Sequence, residues 1–426
     1  MKTPALIALA LCFSPFWGFS NDTLSVAQCR ALAVQNSPLL QKKGYAKNIS
    51  DLQIRSLHSN SLPRIQAGAQ ASWQSEVFGL PFQLPGAEIP EIPKDQYKLS
   101  VDVAQRIWDG GSDRYLRQQR ELERDLAAAQ VDVDVFSLRE IVTDLYFKAL
   151  LLQESEAILA SAKRDLDTRL KQAEAAVAEG AALRTAADQV KIQVLKIEQQ
   201  IAAAQSDKQT VLEILAKWVG QKVVPAALAA GGGSLVPYIP AAKAAGTVRP
   251  EHALFSLQQR GLQIGRNALG LRAQPRIEAF TQGGLGSPNP FNPFETGFEP
   301  FALLGLRAAW SPIDWGNRRR EAQVFDLQIK NVDAQRQFFD QRLEANTLKD
   351  QQDEAKWRAQ LAQDGDIIAL QTDIVRRADA QLKNGVMTMT DYLAQVNLLT
   401  QAQLTRKTHE VQVAQAREMA RAKTGD

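Results

Sequence analysis

The sequence predicts a mostly α-helical, internally duplicated chain with long antiparallel coiled-coil hairpins and a small β portion of the transmembrane-barrel type. Three observations predict it: a repeat of structure-punctuating residues, two proline-free stretches far longer than ordinary helices, and short segments in which apolar and polar residues alternate.

The repeat sets the organisation. Ser37-Pro38 stands opposite Arg249-Pro250, and Pro63-Arg64-Ile65-Gln66-Ala67 opposite Pro275-Arg276-Ile277-Glu278-Ala279, both at an offset of 212. Asp109 and Gly111 pair with Asp314 and Gly316, and Gly180 with Gly385, at an offset of 205, so seven residues are missing from the second copy's loop. Each copy reads as helix, strand, proline-rich loop, strand and two very long helices, a duplicated unit of roughly 200 residues. The expected boundaries are a signal peptide over 1–20, a first repeat over 21–230 and a second over 231–426.

At the N-terminus, Met1-Lys2 precedes an apolar run from Ala5 to Phe13, and Gly18-Phe19-Ser20 suits cleavage before Asn21. Cys12 would leave with that peptide, and Leu11 before it argues against a lipoprotein signal. Cys29 is then the only cysteine of the mature chain, with no intramolecular disulfide. Beyond the signal no apolar stretch reaches the roughly 18 residues of a spanning helix. A bilayer can be crossed only by strands.

From Ser112 to about Ala178 the chain lacks proline, and Leu138, Leu145, Leu152, Leu159 and Leu166 recur every seven residues. That is a coiled-coil seam. A helix of about 65 residues runs near 100 Å, so it belongs to a rod or a tube wall. The second copy is proline-free from Gly316 onward, and Gly180 and Gly385 read as the tips of two antiparallel helical hairpins. A plain structural coiled coil has the same heptads.

In the strands, Tyr97, Leu99, Val101 and Val103 share one side, opposite Lys98, Ser100 and Asp102. Ile65, Ala67, Ala69, Ala71 and Trp73 alternate with Gln66, Gly68, Gln70, Ser72 and Gln74, and Leu304, Leu306, Ala308 and Trp310 with Gly305, Arg307 and Ala309. The pattern fits a transmembrane barrel with a wet lumen, although a half-buried soluble sheet alternates in the same way. Four strands cannot close a barrel and open edges cannot sit in lipid, so the barrel reading requires several chains. Pro81, Pro85, Pro90, Pro93 and Pro288, Pro290, Pro293, Pro300 mark exposed loops between paired strands. Phe82, Phe291, Phe294 and Phe298 lie in those loops, either packed within them or at the membrane interface. The Asp-Gly corners mark where strand becomes helix, with Asp or Ser as cap. Trp108, Trp310 and Trp315 form either an interfacial belt or a packed junction there.

At 426 residues, 45% hydrophobic and a net charge of +3, the chain is large enough for a sizeable core and favours no charged partner such as nucleic acid. His58, His252 and His409 are scattered, with no metal-ligand spacing, and neither a Gly-x-Ser-x-Gly elbow nor a phosphate loop occurs. No enzyme, cofactor or metal is expected.

The chain resembles the TolC family of outer-membrane efflux proteins. The resemblance rests on Leu24-Ser25-Val26-Ala27 before Ala31-Leu32-Ala33-Val34-Gln35-Asn36-Ser37-Pro38, on Arg249-Pro250-Glu251, on the corners Asp109-Gly110-Gly111 and Ile313-Asp314-Trp315-Gly316, and on the glycine tips. It implies a homotrimer in the outer membrane. Each chain would give four strands to a 12-stranded barrel and its hairpins to an α-helical barrel in the periplasm. It also implies a tripartite efflux or secretion system in which this chain is the passive exit duct, docked to a periplasmic adaptor (membrane fusion protein) and an inner-membrane RND or ABC transporter. An envelope tether and a periplasmic adaptor are the alternatives. Gly180 with Thr185 and Gly385 with Thr390 resemble the family's adaptor-docking tips. A basic residue and a carboxylate that gate some relatives are replaced by Met387 and Ala394, and Ala186 stands where the first copy's aspartate would be. Asp391, Tyr392, Arg376 and Arg377 are therefore the candidate periplasmic gate, with Asp379 nearby. A ring of Asp391 carboxylates would favour cations.

Overall fold

The computed structural model describes residues 24–77, 92–223, 249–293 and 295–424. The expected signal peptide with Cys12, the repeat boundary near 230, Pro81, Pro85, Pro90, Phe82 and Phe294 lie outside the described residues.

The elements follow the predicted order twice. Helices α1 (Val26–Gln35) and α2 (Leu39–Ser59) lead into strands β1 (Arg64–Trp73) and β2 (Asp95–Trp108). Helices α3 (Ser112–Ala178) and α4 (Arg184–Val219) then form the first hairpin. The second copy has α5 (Pro250–Ala268), β3 (Arg276–Ser287), β4 (Glu299–Ala309), α6 (Asn317–Lys383) and α7 (Met389–Thr424). Helices α3 and α6 both have 67 residues and α4 and α7 both have 36, so the 205-residue offset holds at both ends of both hairpins. Ser37-Pro38 divides the predicted first helix into α1 and α2, because proline disfavours helical backbone in the residue before it.

Both strand-to-helix corners are built alike. Asp109 accepts from the backbone N–H of Gly111 at 2.8 Å and of Asp113 at 2.6 Å. Asp314 accepts from Gly316 at 3.2 Å and Arg318 at 2.9 Å. Each aspartate thus satisfies amide donors that a helix start leaves orphaned. Burial alone would raise the Asp109 carboxyl, but the Asp113 and Gly111 donors hold it below its ordinary value. The backbone N–H and guanidinium of Arg318 do the same for Asp314.

The strands form one antiparallel sheet in the order β1-β2-β3-β4. Its register places Ile65, Val103, Thr281 and Leu304 on one face, and Gln66, Asp102, Gln282 and Leu303 on the other. The apolar face is open: Leu304 is 80% exposed, and Ile65, Trp73, Leu99 and Leu306 are exposed beside it. Across the polar face, Lys98 donates to Gln282 at 3.0 Å and Gln282 donates to Asp102. In the second loop Phe291 packs edge-on against Phe301 at 5.6 Å, and Phe298 lies 6.2 Å from Tyr97, so both loop rings pack on the sheet. Trp108, Trp310 and Trp315 are exposed rather than packed in a junction core.

The chain divides into two compact units. One contains α1, α4, α7 and the parts of α3 and α6 beyond Asp134 and Arg342. Its core gathers Cys29, Val142, Tyr146, Leu150, Leu212, Leu215, Val219 and Val411, with a second cluster near the hairpin turns. Of the heptad leucines, Leu138, Leu159 and Leu166 are buried, and Leu145 and Leu152 pack against the core. Helix α1 is pinned by Arg30, which donates to Thr143 Oγ1 at 2.9 Å and pairs with Glu418 at 3.1 Å. Burial pushes the free Cys29 thiol up to about 11, which makes it a poor nucleophile.

The other unit contains α2, the sheet, α5 and the preceding parts of α3 and α6. Ser50 of α2 donates to the Arg120 carbonyl at 3.1 Å, and Arg266 of α5 pairs with Asp326 of α6 at 2.8 Å. Among the described residues no helix is long and apolar enough to cross a membrane.

Candidate functional site at the hairpin tips

Each hairpin turns on a glycine in the left-handed region, Gly180 at φ 73° and Gly385 at φ 70°. In this conformation the chain closes its last helical turn, with Ala181 N–H bonded to the Ala176 carbonyl at 2.8 Å and Val386 N–H to the Gln381 carbonyl at 2.9 Å. A Cβ built on either glycine meets no atom within 4 Å. The turns therefore need glycine for backbone conformation, and the space beside them is free. Thr185 and Thr390 are exposed in the first turns of α4 and α7. Beside them Leu183 is 77% and Val386 76% exposed, an apolar side chain at each tip that the repeat pattern did not single out.

The four gate candidates separate. Arg376 and Arg377 both pair with Asp373 of their own helix, and both are exposed. Asp391 accepts from Thr388 Oγ1 at 2.6 Å, while its own N–H donates back to that oxygen at 3.2 Å, so it serves the start of α7. Tyr392 is buried and reaches across to the first hairpin, where Arg169 donates to its hydroxyl at 3.0 Å. The same guanidinium lies 4.6 Å from the Tyr392 ring centre and pairs with Asp379, which Lys383 also holds at 2.8 Å. Around this latch Leu166, Ala173, Val190, Ala378 and Leu393 form the apolar cluster joining the two hairpins.

Sequence pattern does not set Arg169 apart, because it stands among the charges of a long helix. The available signal was its position between Leu166 and Ala173, on the edge of the heptad seam where a charge needs a partner. Among the described residues no group of His, Cys, Asp or Glu is arranged to hold a metal ion.

The fold defines a class: a duplicated subunit of paired β-strands and long α-helical hairpins. The family model for outer membrane efflux proteins matches residues 30–221, so over that stretch the chain is similar to that family. Its structure is similar to that of the outer-membrane channel OprN, at 14% identity and a TM-score of 0.64, covering 94% of this chain and 89% of that one. The outer membrane protein VceC from Vibrio cholerae matches at 13% identity and a TM-score of 0.63, covering 94% and 96%. The outer membrane channel CmeC of Campylobacter jejuni matches at 13% identity and a TM-score of 0.62, covering 100% and 93%. Comparison with curated proteins returns no match. The family match over the first repeat and these likenesses over nearly the whole chain agree with the fold that the resemblance implied.

Proposed function

We infer that the chain is the passive exit duct of a tripartite efflux or secretion system. The observation that carries this is the sheet: Ile65, Trp73, Leu99, Leu304 and Leu306 are exposed on one face, Gln66, Lys98, Asp102 and Gln282 line the other, and β1 and β4 are both edges. In lipid an open edge leaves backbone groups unpaired at a cost of several kcal/mol each, so β4 of one chain must pair with β1 of another. Three chains give the 12 strands of a closed barrel with an aqueous interior. The repeats, 21–230 and 231–426, each supply two strands and one hairpin. Exposed apolar residues on α4 and α6, among them Ile192, Leu195, Ile367, Leu370 and Ile374, supply seams between chains.

The tips at Gly180, Thr185, Gly385 and Thr390 dock the helices of a periplasmic adaptor, with Leu183 and Val386 as apolar anchors and the glycine backbones leaving room. An inner-membrane transporter of the RND or ABC class supplies the energy, and the chain itself is not an enzyme. The Arg169–Asp379–Tyr392 latch holds the two hairpins of one chain together, and its release widens the tip. The mass of the detergent-solubilised particle tests the assembly: three chains are expected, and a monodisperse single chain would refute the shared barrel.

A further inference from the structure

The end of the sheet nearest the helices carries a feature that the duct reading leaves unused. Arg64 opens β1, Arg106 stands near the end of β2, Arg276 opens β3 and Arg307 stands near the end of β4. Antiparallel pairing brings these four positions to one end, and the register, with Arg106 opposite Glu278 and Glu278 opposite Arg307, sets them on the polar face. All four line one cleft of about 550 Å³, against only Asp109 and Glu278 as carboxylates.

Two of the arginines are held. Arg106 donates to the Asn60 carbonyl at 3.0 Å and lies 3.5 Å from Asp113, while Arg307 lies 3.6 Å from Glu278 and over the Phe280 ring. Among the described residues the Arg64 and Arg276 side chains have no ion-pair or hydrogen-bond partner, and they occupy equivalent places in the two repeats. The Asp109 carboxylate is already engaged by two backbone amides. The cleft therefore presents unspent guanidinium forks, whose planar donors match the two oxygens of a carboxylate or phosphate.

The geometry points to an oxyanion-binding collar at the inner mouth of the barrel, which draws cargo bearing carboxylate or phosphate groups through the duct. It rests on the duct reading, because only a closed barrel turns the polar face into a lumen. There the arginines of three chains face one another across water, each acting on a passing ion within a Debye length of about 8 Å.

The test uses the whole trimer in planar bilayers, with inositol hexakisphosphate as polyanionic blocker and spermine as cationic control. Wild type is expected to show voltage-dependent block by the polyanion. The double variant Arg64→Gln, Arg276→Gln should weaken that block roughly fivefold or more, the effect of losing a unit-charge contact near 4 Å in water. Spermine block should stay as it was, so a cation-favouring ring at Asp391 does not confuse the readout. Both arginines are exposed, and an unchanged three-chain mass with discrete conductance steps verifies that the variant still forms the pore. Pores that show no polyanion block, or equal block in both proteins, overturn the collar and leave the duct standing. A folded trimer that never conducts overturns both.

Discussion

Replacing Arg169 with alanine should free the tip of the second hairpin from the first. Arg169 is 15% exposed on its side chain and makes three contacts across the hairpins at once: an ion pair with Asp379, a hydrogen bond to the Tyr392 hydroxyl and an approach to the face of the Tyr392 ring. Lys383 stays with Asp379 at 2.8 Å, so truncation does not strand that carboxylate. A hydrogen bond to a charged group contributes about 1.5–3 kcal/mol and a partly desolvated cation–π contact about 0.5–2 kcal/mol. Allowing for the residual Asp379–Lys383 pair, the latch is worth about 3 kcal/mol, roughly a hundredfold in the closed-to-open ratio of the tip. Amide hydrogen exchange over residues 389–396 reads that opening directly, and protection there should fall by the same factor. Arg169→Lys keeps the charge near Asp379 but loses the flat stack, and should lie between the two. Tyr392→Phe combined with Arg169→Ala should show coupling of about 1 kcal/mol, since the partners touch. Protection altered less than twofold in Arg169→Ala would refute the latch.

The proposed docking tips should separate conformation from space: asparagine tolerates the left-handed region, so Gly180→Asn and Gly385→Asn should leave thermal stability within about 1 kcal/mol. The same variants should abolish photo-crosslinks to a periplasmic adaptor from probes at Leu183 and Val386. In the core, Leu166→Ala should cost about 2–5 kcal/mol by denaturant unfolding, because the side chain is 2% exposed in the cluster that joins the hairpins. His409→Phe should destabilise by about 2–3 kcal/mol, because Asp364, 6% exposed, loses the imidazole that lies 2.7 Å away. The Asp109 cap gives a pH signature. Its carboxyl is held below the ordinary value in the folded chain, so its contribution is complete above about pH 4 and is lost as pH falls through the lower folded value. Asp109→Asn should flatten stability against pH in that acid window alone, and an unchanged acid limb would remove the cap from the account.

Much of the fold was legible because it is written twice. The proline and glycine offsets located strands, corners and tips, and period-two alternation gave the faces of the sheet before any register was available. The corner aspartates were readable as caps because a helix start must satisfy its amides somewhere. The gate was less legible. Arg376, Arg377 and Asp391 look like Tyr392 in a list of tip residues, but in space three of them serve their own helix and one crosses to its neighbour. Only tertiary packing makes that distinction, and the residue that anchors the crossing, Arg169, lies more than two hundred positions from Tyr392. The exposure of Leu183 and Val386 is hidden for a related reason, since no sequence pattern marks an apolar residue that packing leaves uncovered.

Planar-bilayer conductance of the purified protein, with oligomeric mass taken on the same sample, tests the central claim most directly. Discrete, uniform steps from a three-chain particle are expected. A monomer that stays soluble without detergent and never conducts would contradict it and leave only the coiled coils.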